Sequence, residues 1–233
     1  MKRFLIFFVW VWFISIIPSC DILQQIEIPM SQTLSETDIV NGLKEALKVG
    51  TQNGISILNK ENGYFGDSLL RIPFPNDVKQ VEIKLRALGF NRQIDQFILN
   101  MNRGAEKAVQ KAGPVFLNAI TEMSFNDARN ILNGPDNAAT QYFRNKTAAK
   151  LVIAFKPDIK ETLDQIHVTN LWTNITSTYN KIPFTKDVET DLPQYVTQKA
   201  IDGLFIKIAE EEKKIRQDPA ARVSEILKKV FGR

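Results

Sequence analysis

The sequence predicts an all-α fold, a single compact helical domain of about seven to nine helices following a cleaved leader. Three observations predict it. Apolar residues recur at steps of three and four over most of the chain. Pro and Gly punctuate these runs at helix-length intervals, and no strand alternation survives beyond a few residues around Ser68 to Phe74. With 233 residues, 44% hydrophobic and 24% charged, the composition is that of a folded domain. A mature chain of this size buries about 70% of its unfolded surface, so it needs no cofactor to hold together. One cysteine and one histidine exclude a disulfide framework and the ligand clusters of zinc or haem sites, so neither metal nor cofactor is expected.

The first element is the leader. Lys2 and Arg3 precede an almost wholly apolar run from Phe4 to Ile17, and Pro18-Ser19-Cys20 ends it in small residues. About 14 apolar residues fall short of the roughly 20 a spanning helix needs, which predicts a signal peptide over 1–19. Ile17-Pro18-Ser19-Cys20 also resembles the lipobox of bacterial lipoproteins. The resemblance implies that Cys20 is acylated and becomes the mature first residue, which places the domain in the cell envelope with its anchor in a membrane. More than one acyl chain turns marginal membrane binding into stable anchoring. Loss of Lys2 and Arg3 leaves 28 basic against 26 acidic side chains. The basic residues interleave with acidic ones, as in Glu210-Glu211-Glu212-Lys213-Lys214, which reads as a solvated helix face and excludes a nucleic-acid stripe.

Residues 20–36 read as a tether and 37–233 as the domain. A first helix runs from Asp38 to Leu58 with Thr37 or Asp38 as cap, carrying Ile39, Leu43, Ala46, Leu47, Gly50, Gly54, Ile57 and Leu58 on one stripe. Its glycines mark close helix packing. Asn62-Gly63-Tyr64-Phe65-Gly66 and Arg71-Ile72-Pro73-Phe74-Pro75 form an ordered loop. Asn76 or Asp77 caps a second helix through Leu88, stopped at Gly89. A third spans Gln93 to Ala112 and ends at Gly113-Pro114. Pro114 starts a short helix to Met123, and Ser124 to Asp127 resembles a capping box for the next, which stops at Gly134-Pro135. A long helix over Asp136 to Phe155 ends before Pro157; a short helix and loop follow through Trp172 to Asn180. Asp191 caps a helix to Gln217, and Asp218-Pro219 opens a last one carrying Val223, Ile226, Leu227, Val230 and Phe231.

Several segments resemble a bacterial family of unknown function, the DUF4197 domain family. They are Gly42 to Leu47, Asn62-Gly63-Tyr64, Ile72 to Pro75, Met101 to Glu106, Asp127 to Gly134, Ala138 to Arg144 and Glu211 to Pro219. They occur in order from about residue 38 to the carboxyl end. The resemblance implies a helical envelope protein, often with a lipoprotein signal, and brings no catalytic residues. Gly104 stands where the family pattern carries alanine.

Asn102 and Glu106 lie one helical turn apart beside the Met101, Ala105, Ala108 face, and a carboxylate there needs a partner. Arg103, Arg129, Arg144 and Arg216 supply donors, and Asp127 accompanies Arg129. Two arrangements meet these requirements: a buried polar network joining helices, or an open cleft in which Glu106, Arg129 and Arg144 bind an anionic or sugar-like ligand. His167 lacks a Gly-x-Ser-x-Gly nucleophile motif anywhere in the chain, which argues against a triad. The leading functional reading is a non-enzymatic, lipid-anchored domain that binds a ligand or an envelope protein. The alternative is a carboxylate-dependent hydrolase or transglycosylase of cell-wall glycan, with Glu106 or Glu45 as its acid.

Overall fold

Local signals set most helix ends in the computed structural model, which describes residues 35–165, 172–173, 177, 180–181 and 191–231, apart from the side chain of Asp77. Among these residues there are eight α-helices and no strand: α1 Glu36–Leu58, α2 Lys79–Ala87, α3 Asn91–Ala108, α4 Ala112–Thr121, α5 Phe125–Leu132, α6 Ala138–Asp164, α7 Leu192–Gln217 and α8 Glu225–Phe231. They belong to one compact unit, 34–233. No helix among them is long and apolar enough to cross a membrane.

Ser35, rather than Thr37 or Asp38, caps α1. Its hydroxyl accepts from the Asp38 N–H while the Asp38 carboxylate accepts from the Ser35 N–H. Asp38 therefore sits at the third helical position of a capping box, because Ser-x-x-Asp satisfies two orphan donors reciprocally where a lone cap satisfies one. Ser124 and Asp127 repeat the device at α5. Asp191 caps α7 through the Gln194 N–H, with Pro193 in the first turn. Arg222 closes the other end of α7 by donating to the carbonyls of Ile215 and Arg216.

The sequence misplaces four boundaries. Asn76–Val78 is a 3₁₀ turn without a side-chain cap, and α2 begins only at Lys79; the helix does stop at Gly89, whose φ of +91° is left-handed. Gly113-Pro114 does not end a helix. A 3₁₀ turn over Val109–Lys111 leads directly from α3 into α4, and Pro114 falls within the first turn of α4, where a missing donor costs nothing. The long helix also runs on through Pro157 to Asp164. Its buried stripe of Phe143, Thr147, Leu151, Phe155, Ile159 and Leu163 crosses the proline unbroken, and Ile153, whose carbonyl loses its bond, is 76% exposed to water. Finally α8 starts at Glu225, which leaves Val223 outside the helix and exposed. The segment expected after Pro157 lies largely outside the described residues, as do Ile166, His167 and Cys20.

α7 packs on α6 and α1, α3 packs on α6, and α8 lies on α1. Glycines permit these approaches: a Cβ on Gly42 would meet Val230 Cγ2 at 2.4 Å, and Gly54 faces Ile208. Ile57, counted on the α1 stripe, is partly exposed, whereas Leu43, Leu47 and Leu58 are buried. The core aromatics form two groups. Phe116 meets Phe143 and Phe205 at 5.0 and 6.1 Å between centroids, and Phe74 meets Phe97 and Trp172 at 5.2 and 5.6 Å. Phe74 belongs to the loop between α1 and α2, so that loop is part of the core.

Candidate binding groove and the clamps that shape it

The loop of residues 59–75 cannot hold itself in place, because most of its backbone polar groups have no partner of regular secondary structure. Helix α3 provides the partners. Asn102 is fully buried; its Oδ1 accepts from the Ile72 N–H at 2.9 Å, and its Nδ2 donates to the Ile72 carbonyl at 2.9 Å. One turn on, Glu106 Oε1 accepts from the N–H groups of Tyr64 and Phe65 at 3.1 and 3.2 Å, and Oε2 accepts from Arg103. Arg103 also donates to Glu61 and Asn62, both at 3.0 Å. Asn62 is left-handed at φ +67°, which turns the chain so that two successive N–H groups face one carboxylate oxygen.

Helix α7 holds the same loop from the other side. The Tyr64 hydroxyl donates to the Ala200 carbonyl at 2.8 Å, and its ring fills the space over Gly203, where a Cβ would come within 2.8 Å. Burial, with Glu106 close by, pushes the Tyr64 phenol far above its ordinary value. The Tyr195 hydroxyl donates to the Pro73 carbonyl, and Lys207 bridges Asp67 and Glu210. Burial alone would lower the Lys207 ammonium, but Glu210 and Asp67 outweigh it and hold it above its ordinary value.

The sequence-selected residues thus divide. Asn102, Arg103 and Glu106 come together as a loop clamp. Arg216 lies elsewhere, donating to Glu212 and to the Ile131 carbonyl at 2.8 Å. Glu212 in turn accepts from the N–H groups of Ala139 and Thr140 and the Thr140 hydroxyl, which caps α6 across the fold. Glu211 and Glu212 are both buried, so the run Glu210 to Lys214 is not the solvated face its composition implied: the helix turns two of its three carboxylates toward α1 and α6, where donors neutralise them. Asp127 belongs to the α5 cap, and its Ser124 bonds hold its carboxyl below the usual carboxylate range. Arg129 is exposed, pairing with Glu36 at 2.9 Å. Arg144 pairs with Asp202 at 3.1 Å and lies over the Phe205 ring.

Against the clamped loop lies a groove of about 260 Å³ between Leu69–Pro73 and α7, lined there by Lys199, Asp202, Gly203 and Ile206. Arg71 stands at its wall, its guanidinium 4.1 Å from the centre of the Phe65 ring. Neither Arg71 nor Lys199 takes part in an ion pair among the described residues, whereas Asp202 is met by Arg144 and Gln198. Arg144 thus reaches the groove only through Asp202, and Glu106 and Glu45 do not line it. A second cavity, among α1, α6, α7 and Phe231, is apolar and holds about 20 Å³, room for about one water. Among the described residues no three His, Cys, Asp or Glu side chains gather as a metal-ligand set.

Arg71, Lys199 and Asp202 escaped the sequence reading. Arg71 stood in a stretch recognised only as a loop, and Lys199 and Asp202 look like any charged positions on a helix surface. Only the pairing of that loop with α7, separated by more than a hundred residues, makes them neighbours. A family model described as a protein of unknown function, DUF4197, matches residues 33–232. No curated protein and no solved structure matches the chain.

Proposed function

Since the chain belongs to the DUF4197 family of proteins of unknown function, its role has to come from its own residues, and we propose a lipid-anchored cell-envelope domain that binds a ligand or partner without transforming it. The anchor rests on Lys2-Arg3, the apolar run Phe4 to Ile17 and Ile17-Pro18-Ser19-Cys20, followed by a short polar tether and then the capped start of α1. Export and acylation at Cys20 put the helical domain on the periplasmic side of its membrane.

The groove beside Leu69–Pro73 is the observation that carries the binding half. It is walled by a loop tied down at Tyr64, Phe65, Ile72 and Pro73, so its shape is preformed. Preformed walls spare a ligand the entropy of ordering them. Glu106, the first carboxylate a glycan-cleaving reading would call on, is otherwise engaged: both its oxygens accept from the chain's own donors.

Mass spectrometry of the native protein tests the anchor. The expected product begins at Cys20 and carries acyl chains, and Cys20→Ser releases it from the membrane fraction. An intact Met1 or an unmodified Cys20 sulfur overturns the envelope assignment. Incubation of the purified protein with peptidoglycan tests the binding half, because release of soluble glycan that Glu106→Gln abolishes would replace binding with catalysis.

A further inference from the structure

The charge and shape of the groove specify the kind of ligand it takes. Arg71 and Lys199 are both exposed and have no carboxylate partner among the described residues. The acid in the lining is already neutralised, since Asp202 accepts from Arg144 at 3.1 Å and from Gln198 at 3.3 Å. Among the described residues the groove therefore presents two positive charges without a carboxylate partner. The Phe65 ring, 4.1 Å below the Arg71 guanidinium carbon, holds that group by a contact to its face that uses none of its N–H donors, which leaves them for bidentate recognition of a carboxylate or phosphate. Lys199 adds a point charge from the helix.

The remaining walls are apolar. Leu69 is 68% exposed, and Leu70, Ile72, Pro73 and Ile206 complete the apolar lining with Gly203. An isolated Leu at that exposure is ordinary, but here it borders a concave surface with two cations on it. At about 260 Å³ the volume lies below the roughly 300–1,000 Å³ of sites for drug-sized ligands, which selects a small molecule.

We infer that this groove binds a small organic anion, one carboxylate or phosphate group joined to a short apolar body, with the anionic group between Arg71 and Lys199 and the body on Leu69, Pro73 and Ile206. This rests on the binding role proposed above and names its ligand class. Recognition divides between the two parts: the cations attract and orient, and the walls contribute in proportion to the apolar area they cover.

Calorimetric titration of the full, membrane-anchored chain in neutral-lipid nanodiscs tests the inference with four probes: phenyl phosphate, benzoate, inorganic phosphate and benzyl alcohol. At least one of the first two is expected to bind saturably, and which of them does so assigns the group as phosphate or carboxylate. Inorganic phosphate binds more weakly because it leaves the walls uncovered, and benzyl alcohol does not bind. Arg71→Ala with Lys199→Ala weakens the anion at least tenfold, and Leu69→Ser weakens phenyl phosphate or benzoate but not inorganic phosphate. Both sites are exposed, so the variants keep their melting temperature. Binding unchanged in the double variant, benzyl alcohol binding as well as the anions, or no saturable binding of either organic anion overturns the inference. If the native protein still carries acylated Cys20 and leaves peptidoglycan intact, such a failure removes the ligand class and leaves the anchored binding role standing.

Discussion

At Gly50 and Gly104 an added methyl group would find its nearest neighbours at 3.6 Å, Ile215 Cδ1 and Thr162 Cβ, an ordinary van der Waals contact. At Gly42 it would meet Val230 Cγ2 at 2.4 Å. Glycine in a helix interior costs about 1 kcal/mol relative to alanine, so Gly50→Ala and Gly104→Ala should each raise stability by about that much in urea denaturation. Gly42→Ala should lower it, because α8 must shift to accept the methyl. Tyr64 carries the alkaline limit of the fold. Its phenol is held neutral by burial and by Glu106, so its folded value lies above the unfolded value of about 10. Its contribution is complete below that pH and is lost as pH rises beyond it. Stability should therefore fall above about pH 10, with the Tyr64 share of the tyrosinate absorbance appearing only on unfolding, and Tyr64→Phe should flatten that fall and remove that share.

Among the elements, α6 shows how tertiary burial overrides propensity. A proline in a helix interior costs about 3 kcal/mol, yet α6 passes through Pro157 because Phe155, Ile159 and Leu163 are all buried on the far side of it or beside it. Pro157 itself is exposed, so Pro157→Ala should restore the bond to the Ile153 carbonyl without a clash and raise stability by about 1–3 kcal/mol, read as a shift in the urea midpoint at constant slope. The capping boxes give α1 and α5 an acid-sensitive start. The bonds from Ser124 hold the Asp127 carboxyl below its ordinary value, so this contribution is present above about pH 4 and fades as pH falls through the lowered value. Asp127→Asn should remove part of the loss of stability on acidification, measured as the urea midpoint against pH.

For the whole molecule, two buried carboxylates join parts that are distant in sequence. Glu106 fixes the loop of residues 59–75 to α3, and Glu212 fixes the start of α6 to α7. Bonds to a charged partner contribute about 1.5–3 kcal/mol each, so either Glu→Gln change should cost on that order. Hydrogen exchange should separate the two: Glu106→Gln speeds exchange at Tyr64 and Phe65, while Glu212→Gln does so at Ala139 and Thr140. The same scale explains why the candidate site was only half legible. Asn102, Arg103 and Glu106 share one helical face, so spacing alone brings them together. Their partners, the N–H groups of Tyr64, Phe65 and Ile72, are backbone atoms that no residue type announces. Arg144 and Arg216 have the right chemistry for the same clamp, but α6 and α7 carry them to Asp202 and Glu212 instead.

Local pattern in the chain set the helical class, the helix stripes and the caps of α5 and α7 at Ser124 and Asp191, because a 3.6-residue period and a side chain that accepts from an N–H three residues on both act over a single turn. It also held the resemblance to the family that the matched residues bear out. Tertiary structure decided which helices run through their prolines, which acidic residues are buried, and where a groove opens. Those outcomes depend on free energies summed over contacts between segments far apart in the chain, and no local pattern carries that sum.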